Sequence, residues 1–312
     1  MFKNKEYVLA VVREGGFSKA AERLYVSQPS LSATIKRIEE KISLPIFDRT
    51  KTPVALTEAG KEYVRNAMEI ERIERNYELF ITDRVSLSVG EVKIGGSSLF
   101  SSCVLPPMIA KFQEKYPGVR VRIFENNTKN LMRELAQGNL DIVIDNAVIE
   151  SESISAVPFT TERILLAVPA SFPINEKLSQ HSLSVGDVQA GKHLSEQTAV
   201  NIEAFSSLPF VLLNSENDTG KRAESIFLKH GIAPQVRFKL DQQITAYHIC
   251  CSGMGVCFIS DTLVKSLPPS ENLRYYRLTD GELARNIYLY RKSKSYHSVA
   301  CEKFMEQSLQ FH

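Results

Sequence analysis

Gln28, Ser30, Ser32, Ala33 and Thr34, followed by Lys36 and Arg37, bring short hydrogen-bonding side chains and then two cations into one stretch of chain. Gln pairs bidentately with adenine, Ser and Thr bond either base type, and Lys or Arg binds phosphate or guanine, so the set suits a DNA major groove. The same composition also describes an ordinary solvated helix face, and the surrounding elements must decide between the two. Ser27 is a good N-cap, Pro29 falls in the first turn, where a missing N–H costs nothing, and Leu31, Ile35, Ile38 and Ile42 recur at helical spacing. One face of this helix is therefore core and the other is the polar set. Ahead of it, Ser18 is placed to cap a helix whose Ala20 and Ala21 permit a close crossing, Leu24 adds an apolar contact, and Tyr25 and Val26 make the turn. Residues 17–57 read as two short helices around a tight turn, then a basic loop, which is the outline of a DNA reader.

Charge points the same way. Residues 1–65 carry twelve Lys and Arg against eight Asp and Glu, whereas the whole chain is only +2, so the remainder is slightly acidic. An excess of about four charges binds DNA weakly and with strong salt dependence, which calls for more than one copy per site. A pairing element follows at once. No Pro interrupts residues 56–87, where Leu56, Tyr63, Ile70 and Tyr77 form one heptad-like row and Ala59, Ile73, Phe80 and Leu87 a second, broken by Asn66. A single amphipathic helix packed on its own chain would show this pattern too. At about 45 Å, however, such a helix is too long for a winged domain of about 60 residues to cover, which favours pairing of two chains.

Residues 86–90 end the helix, and beyond them strands and helices alternate. Strands are expected at 92–95, 119–125 and 140–144, with helices at 105–116 and 130–137; further strands at 163–168, 210–213, 236–240 and 256–259 accompany helices at 221–230 and 242–252. This implies a parallel α/β sheet, and about 220 residues imply two lobes. Ligands in open α/β sheets sit at the carboxyl ends of the strands, against helix N-termini. Hydroxyls and amides gather there: Ser97, Ser98, Ser101 and Ser102 after the first strand, Thr128 after the second, then Thr219, Gln243 and Thr245. Each alone is an ordinary helix cap; together they favour a small anion, a carboxylate above all, held by hydrogen bonds without a fixed cation.

Other chemistry is less well supported. Cys250, Cys251 and Cys257, near His248, fit neither a CxxC pair nor a zinc knuckle, and the apolar run around them suits core packing; no metal or cofactor is expected. Five cysteines with neither a signal peptide nor a transmembrane run point to a reducing cytoplasm, with no membrane partner. An enzyme on this fold would need a nucleophile and base, a phosphate loop or metal ligands; Gly95 and Gly96 have no GxGxxG continuation, there is no GxSxG, and the six histidines are scattered. A secreted solute-binding protein would need an apolar leader that residues 1–12 do not supply.

The run AAERLYVSQPSLSATIKRIEEKISLPIFDRT, followed by LTEAG at residues 56–60, resembles the LysR-type transcriptional regulators. Farther along, FQEKYPGVRVRIFENN, LAQGNLDIVI, GIAPQV and GMGVCFIS sit where that family has its effector domain. The resemblance implies an N-terminal winged helix-turn-helix domain (1–58), a linker and dimerisation helix (59–89), and an effector domain (90–312) of two Rossmann-like lobes, similar to periplasmic solute-binding proteins. Lobe I would span about 90–162 and 269–312 and lobe II about 163–268, with crossovers near 160–163 and 266–270. It implies that Gln28, Pro29, Ser30 and Ser32 approach base edges beside Ser27 and Thr34, that Arg49 in the wing grips a phosphate, and that Lys36, Thr50 and Lys51 touch the backbone. Many members carry Arg or Gln where Ala33 and Thr34 stand, so base preference does not carry over there. It places Ser97, Ser98, Ser102, Thr128, Asn146 and Phe205 at the effector cleft. It further implies a homodimer through the linker helix, a homotetramer on a dyad-symmetric operator, and RNA polymerase as a further partner. Residues 174–208 exceed the family's usual connection, as either an ordered helical insertion over the cleft or a surface loop.

Overall fold

The computed structural model describes residues 1–51, 53–85, 90–268, 270–293 and 295–311. Two compact units result, Met1–Val85 and Ser86–His312. The expected helix end at 86–89, Leu87 of the second apolar row, the boundary residue Pro269 and the side chain of Phe80 lie outside what is described.

In the first unit, α1 (Lys5–Glu14), α2 (Phe17–Arg23) and α3 (Gln28–Ile42) precede a two-stranded wing, β1 (Phe47–Asp48) and β2 (Ala55–Leu56), and the long α4 (Glu58–Val85). Leu31, Ile35 and Ile38 of α3 pack on Val8, Leu9 and Val11 of α1 and on Ala20 and Ala21, so the apolar spacing read from sequence is the core face. Ser18 does not cap α2. Gly15 turns left-handed at φ 70° and Gly16 is the N-cap, so the helix begins at Phe17, one residue before Ser18. The apolar residues of α4 are divided between two uses. Tyr63 is buried in the unit's own core with Val64 and Ala67, stacked 4.8 Å from Phe2, whereas Ile73, Tyr77 and Ile81 farther along are 56%, 66% and 43% exposed.

The second unit is a two-lobed α/β structure. Lobe I contains β3 (Gly90–Gly96), a π turn at Phe100–Val104, α5 (Leu105–Lys115), β4 (Val119–Glu125), α6 (Thr128–Gln137) and β5 (Ile142–Asp145). The strand β6 (Ile154–Pro169) leaves it for lobe II, which holds α7 (Ile174–Lys177), α8 (Val185–Gln189), β7 (Ala199–Val200), β8 (Pro209–Leu213), α9 (Asp218–Lys229), β9 (Gln235–Leu240), α10 (Gln243–Cys251), β10 (Val256–Ser260), α11 (Asp261–Ser266) and β11 (Leu273–Leu278). Then β12 (Ala284–Lys292) returns to lobe I, and α12 (Val299–Ser308) buries Cys301, Phe304 and Met305 in its core. The strand order is β4-β3-β5-β12-β6-β10-β8-β9, with β11 on β6 and β7 on β11. Neighbours within β4-β3-β5 and β10-β8-β9 are parallel, whereas β12 runs antiparallel to β5 and β6, and β6 antiparallel to β10 and β11.

Strand β6, with 16 residues, begins well before the stretch expected at 163–168. Its first half pairs with β12, and Pro158, which cannot donate to the ladder, lies at a register shift opposite Ile287 and Tyr288. The return crossover also differs from the expected 266–270. β11 pairs with Leu166 to Pro169 of β6 and buries Tyr275 and Tyr276 in lobe II, so the chain crosses back only after Leu278. Pro268 accordingly lies within lobe II, between α11 and β11, and not between the lobes. The 174–208 segment is ordered: Leu183, Val185 and Val188 enter one side of the lobe II core and Val200, Ile202 and Phe205 the other. Cys250 and Cys257 are fully buried in that core, and Cys250 donates to the carbonyl of Ala167.

Candidate functional site

Two surfaces carry the sequence-predicted residues. The first is the outer face of α3 with the wing. Ser27 Oγ accepts the Ser30 N–H at 3.3 Å as the N-cap, which places Gln28 and Pro29 in the first turn, and residues 27–30 are all exposed. Lys36 and Lys51 are also exposed, within 3.9 Å of Glu40 and Asp48 respectively. Thr34 is less free than expected: its hydroxyl donates to the Ser30 carbonyl at 2.9 Å, which leaves it only as an acceptor.

Arg49 is held in place before any partner arrives. Its guanidinium reaches Glu39 Oε2 at 3.2 Å and Ser32 Oγ at 3.5 Å, and lies 5.2 Å from the centre of the Phe17 ring. Glu39 does more than pair with it. The other carboxylate oxygen accepts the N–H groups of Ile46 and Phe47 at 2.8 and 3.2 Å, tying the base of the wing to α3. Sequence reasoning missed this role. The available signal was an acid on the inner side of an amphipathic helix, three residues before the helix ends. Asp48 shapes the wing tip by accepting the Thr50 N–H and hydroxyl, bonds that hold its carboxyl below the ordinary range.

The second surface is a cavity of about 1180 Å³ in the second unit. Lobe I contributes Ser97, Ser98, Ser102, Thr128 and Asn146 to its wall, and lobe II contributes Gln243. Thr128 sits at the start of α6, because Asn127 is the N-cap and accepts the Asn130 N–H at 2.9 Å. On the opposite side, Asn217 caps α9 through the Thr219 N–H at 2.9 Å, so the helix begins one turn earlier than expected. Gly220 makes that start possible: a Cβ there would stand 2.4 Å from the Asn214 carbonyl oxygen.

Four expected residues do not line the cavity: Ser101, whose hydroxyl donates to the Gly96 carbonyl at 3.0 Å, Thr245, Phe205 and Thr219. Phe205 is fully buried in the lobe II core, its ring 5.1 Å from that of Tyr276, because the 3-10 turn Ile202–Phe205 points inward. Thr219 is 1% exposed and lies behind the wall, accepting from Gln243 at 3.0 Å and from Arg285 at 3.1 Å. Gln243 itself is a strut, since its carbonyl oxygen also accepts the Ser260 N–H at 2.9 Å.

The expectation of a cleft without a fixed cation is corrected by Arg285, which lines the cavity at the start of β12. Its side chain is 2% exposed and bonds Glu162 and Asp218, each at 2.6 Å. Lys129 and Lys221 add two exposed cations, and Glu125, Asp145, Glu216, Asp218 and Asp241 make the wall richer in carboxylates than in cations. Burial pushes the Asp145 carboxyl up, and the N–H groups of Ala147 and Asn146 and the Thr128 hydroxyl only partly offset it. None of these charges was picked out from sequence.

Among the described residues no group of His, Cys, Asp and Glu is arranged to hold a metal ion, and no helix is long and apolar enough to cross a membrane. Residues 2–61 match the family model for bacterial regulatory helix-turn-helix proteins of the lysR family, and residues 86–311 match the LysR substrate binding domain. An uncharacterized HTH-type transcriptional regulator of Bacillus subtilis (strain 168), YcgK, is 27% identical over 98% of this chain and 93% of its own. Among solved structures, full-length CbnR complexed with its target DNA aligns at TM-score 0.63 and 17% identity, over 99% of both chains. The effector binding domain of BenM with its effector benzoate aligns at TM-score 0.57 and 20% identity, over 72% of this chain and 92% of that domain.

Proposed function

Because the chain belongs to the LysR family, whose helix-turn-helix and substrate-binding models together match nearly all of it, we propose that it is a transcriptional regulator that grips DNA with α3 and the wing and answers to a small anionic effector between its lobes. The observation that carries the DNA half is the exposed, N-capped start of α3 beside a pre-positioned Arg49. Gln28, Ser30 and Ser32 read base edges, and Arg49 holds a phosphate.

The effector half rests on the cavity at the carboxyl ends of the parallel strands, where α6, α9 and α10 present their N-termini. A carboxylate would settle against the Ser98 hydroxyl and the N-terminus of α6, since the Ser102 and Thr128 hydroxyls already donate to the Ser98 carbonyl and to Asp145, and hydroxyl or amino groups on the same molecule would meet Asp145 and Asp241. Benzoate, the effector of BenM, has the first of these features. The cavity exceeds the usual size of a closed ligand pocket, about 300 to 1,000 Å³, so binding would draw the lobes together. Paired linker helices would set two readers on a dyad-symmetric target, dimers would join into a tetramer, and lobe closure would change the bend of the DNA presented to RNA polymerase.

Footprinting tests the first half. Gln28→Ala should cost about 1 to 3 kcal/mol at one base position, whereas Arg49→Ala should weaken all sequences alike. Equal losses on specific and random duplex for Gln28→Ala would refute its reading role. For the second half, a thermal-shift screen of small carboxylates and amino acids should find one that stabilises the wild type and acts less on Ser98→Ala, since a ligand of the native state raises stability by mass action. A panel without any shift would count against a carboxylate.

A further inference from the structure

The turn between α2 and α3 holds a residue that its backbone does not favour. α2 ends in a Schellman-type cap, with the Val26 N–H on the Ala21 carbonyl at 3.0 Å and the Tyr25 N–H on the Glu22 carbonyl at 3.2 Å. The residue that turns left-handed in such a cap is ordinarily Gly or Asn; here it is Tyr25, at φ 54°. Packing gives nothing back, because the side chain is 97% exposed. A large aromatic residue kept in solvent at a strained position points to a partner outside the chain.

Its place narrows the partner. Tyr25 stands two residues before Ser27, the N-cap of α3, and residues 27–30 are exposed with it. When a recognition helix enters a major groove by its N-terminal residues, the chain just ahead of it passes the groove's edge, where the phosphates lie. We propose that the Tyr25 hydroxyl donates a hydrogen bond to a DNA backbone phosphate at that edge, positioning α3 without reading sequence, an assignment that rests on the DNA-binding role given above. Tyrosine is among the side chains that fix a protein's register on the duplex in this way, and as a neutral donor it adds no counterion release.

The test uses the full chain, a duplex recovered by the wild type from a random-sequence pool, and a shuffled duplex of the same composition. Tyr25→Phe should weaken binding to both by about five- to tenfold, with the salt dependence unchanged. Tyr25→Gly should weaken binding as much while raising the thermal midpoint of the N-terminal unit, because the strained backbone is relieved. Tyr25→Phe at wild-type affinity would overturn the proposal, as would a Tyr25→Gly chain that gains stability and keeps full affinity. A wild type that recovers no duplex would sink the DNA-binding role itself, a result distinct from either.

Discussion

Arg285 shows how a single side chain can govern a site that its own neighbourhood in the sequence does not announce. Its partner Glu162 is 123 residues away, and the two meet only because β6 and β12 run antiparallel at the crossover. The pair is almost fully buried, at 2% and 1% exposure, and Glu162 Oε2 has no hydrogen-bond partner among the described residues. Removing the cation would leave that carboxylate buried without compensation. Arg285→Ala should therefore cost about 3 to 5 kcal/mol of the second unit's stability, and adding Glu162→Gln should recover much of it. Urea unfolding followed by tyrosine fluorescence reads this directly, since the chain has no Trp. A loss below about 1 kcal/mol, or no recovery in the double variant, would mean that the pair is not the strut described. Local sequence did place Ser27 as the N-cap of α3, with Gln28 and Ser30 in its exposed first turn, because a cap and a helical period are short-range features. It could not reveal Arg285, Glu39 or Asp145, whose roles are set by partners on other elements.

Among the elements, α9 is tied along its whole length to the segment that carries the chain back to lobe I. Asp218 and Thr219 bond Arg285 at its start, Arg222 and Ser225 bond Glu282 at its middle, and Lys229 and His230 bond Asp280 at its end. Since the N-terminus of α9 borders the cavity, movement there is passed to the return strand by three separate clasps. The last clasp depends on pH. His230 lies between Asp280, at 3.0 Å, and Glu203, at 2.7 Å, and the hydrogen bond to Asp280 and then that to Glu203 raise its pKa above 6.5. Burial alone would raise the Asp280 carboxyl, but His230 and Lys229 more than offset it and hold it below 3.8. The imidazolium's contribution is fully present below pH 6.5 and is lost as pH climbs through its raised value; the carboxylate's is present above pH 3.8 and is lost as pH falls through its lowered one. Wild type and His230→Gln should thus differ most in thermal midpoint between those two values, and the difference should fall away on the alkaline side. A difference that persists undiminished on the alkaline side would rule out the ionic clasp. Sequence periodicity located α9 but began it at Lys221, because a start at Asn217 requires Gly220 to pass close to a carbonyl of the chain before it.

For the whole molecule, the question is what a second copy of the chain supplies. The apolar rows along α4 looked like one continuous seam in sequence, and the structure divides them. Tyr63, Val64 and Ala67 are used by the winged unit's own core, whereas Ile73, Tyr77 and Ile81, spaced four residues apart, leave an apolar stripe exposed. A pattern of apolar residues cannot distinguish burial against the same chain from burial against another, since both need the same stripe, and only the exposure in the folded unit tells them apart. The same limit applied to the lobes, where β11 was not picked out from sequence and only its pairing with β6 assigns it to lobe II. If the exposed stripe joins two chains, Ile73→Asp with Ile81→Asp should leave the helical circular dichroism intact and shift the full chain toward the monomer in sedimentation equilibrium. DNA affinity should then fall on the order of a hundredfold, because two linked readers bind with an effective concentration that separated ones lack. Measuring mass and affinity on the same sample makes the two losses inseparable if pairing is the cause. A variant that keeps the wild-type mass would place the contact elsewhere, and one that becomes monomeric yet binds DNA as well as before would show that a single α3, with its weak excess of about four charges, suffices for the grip.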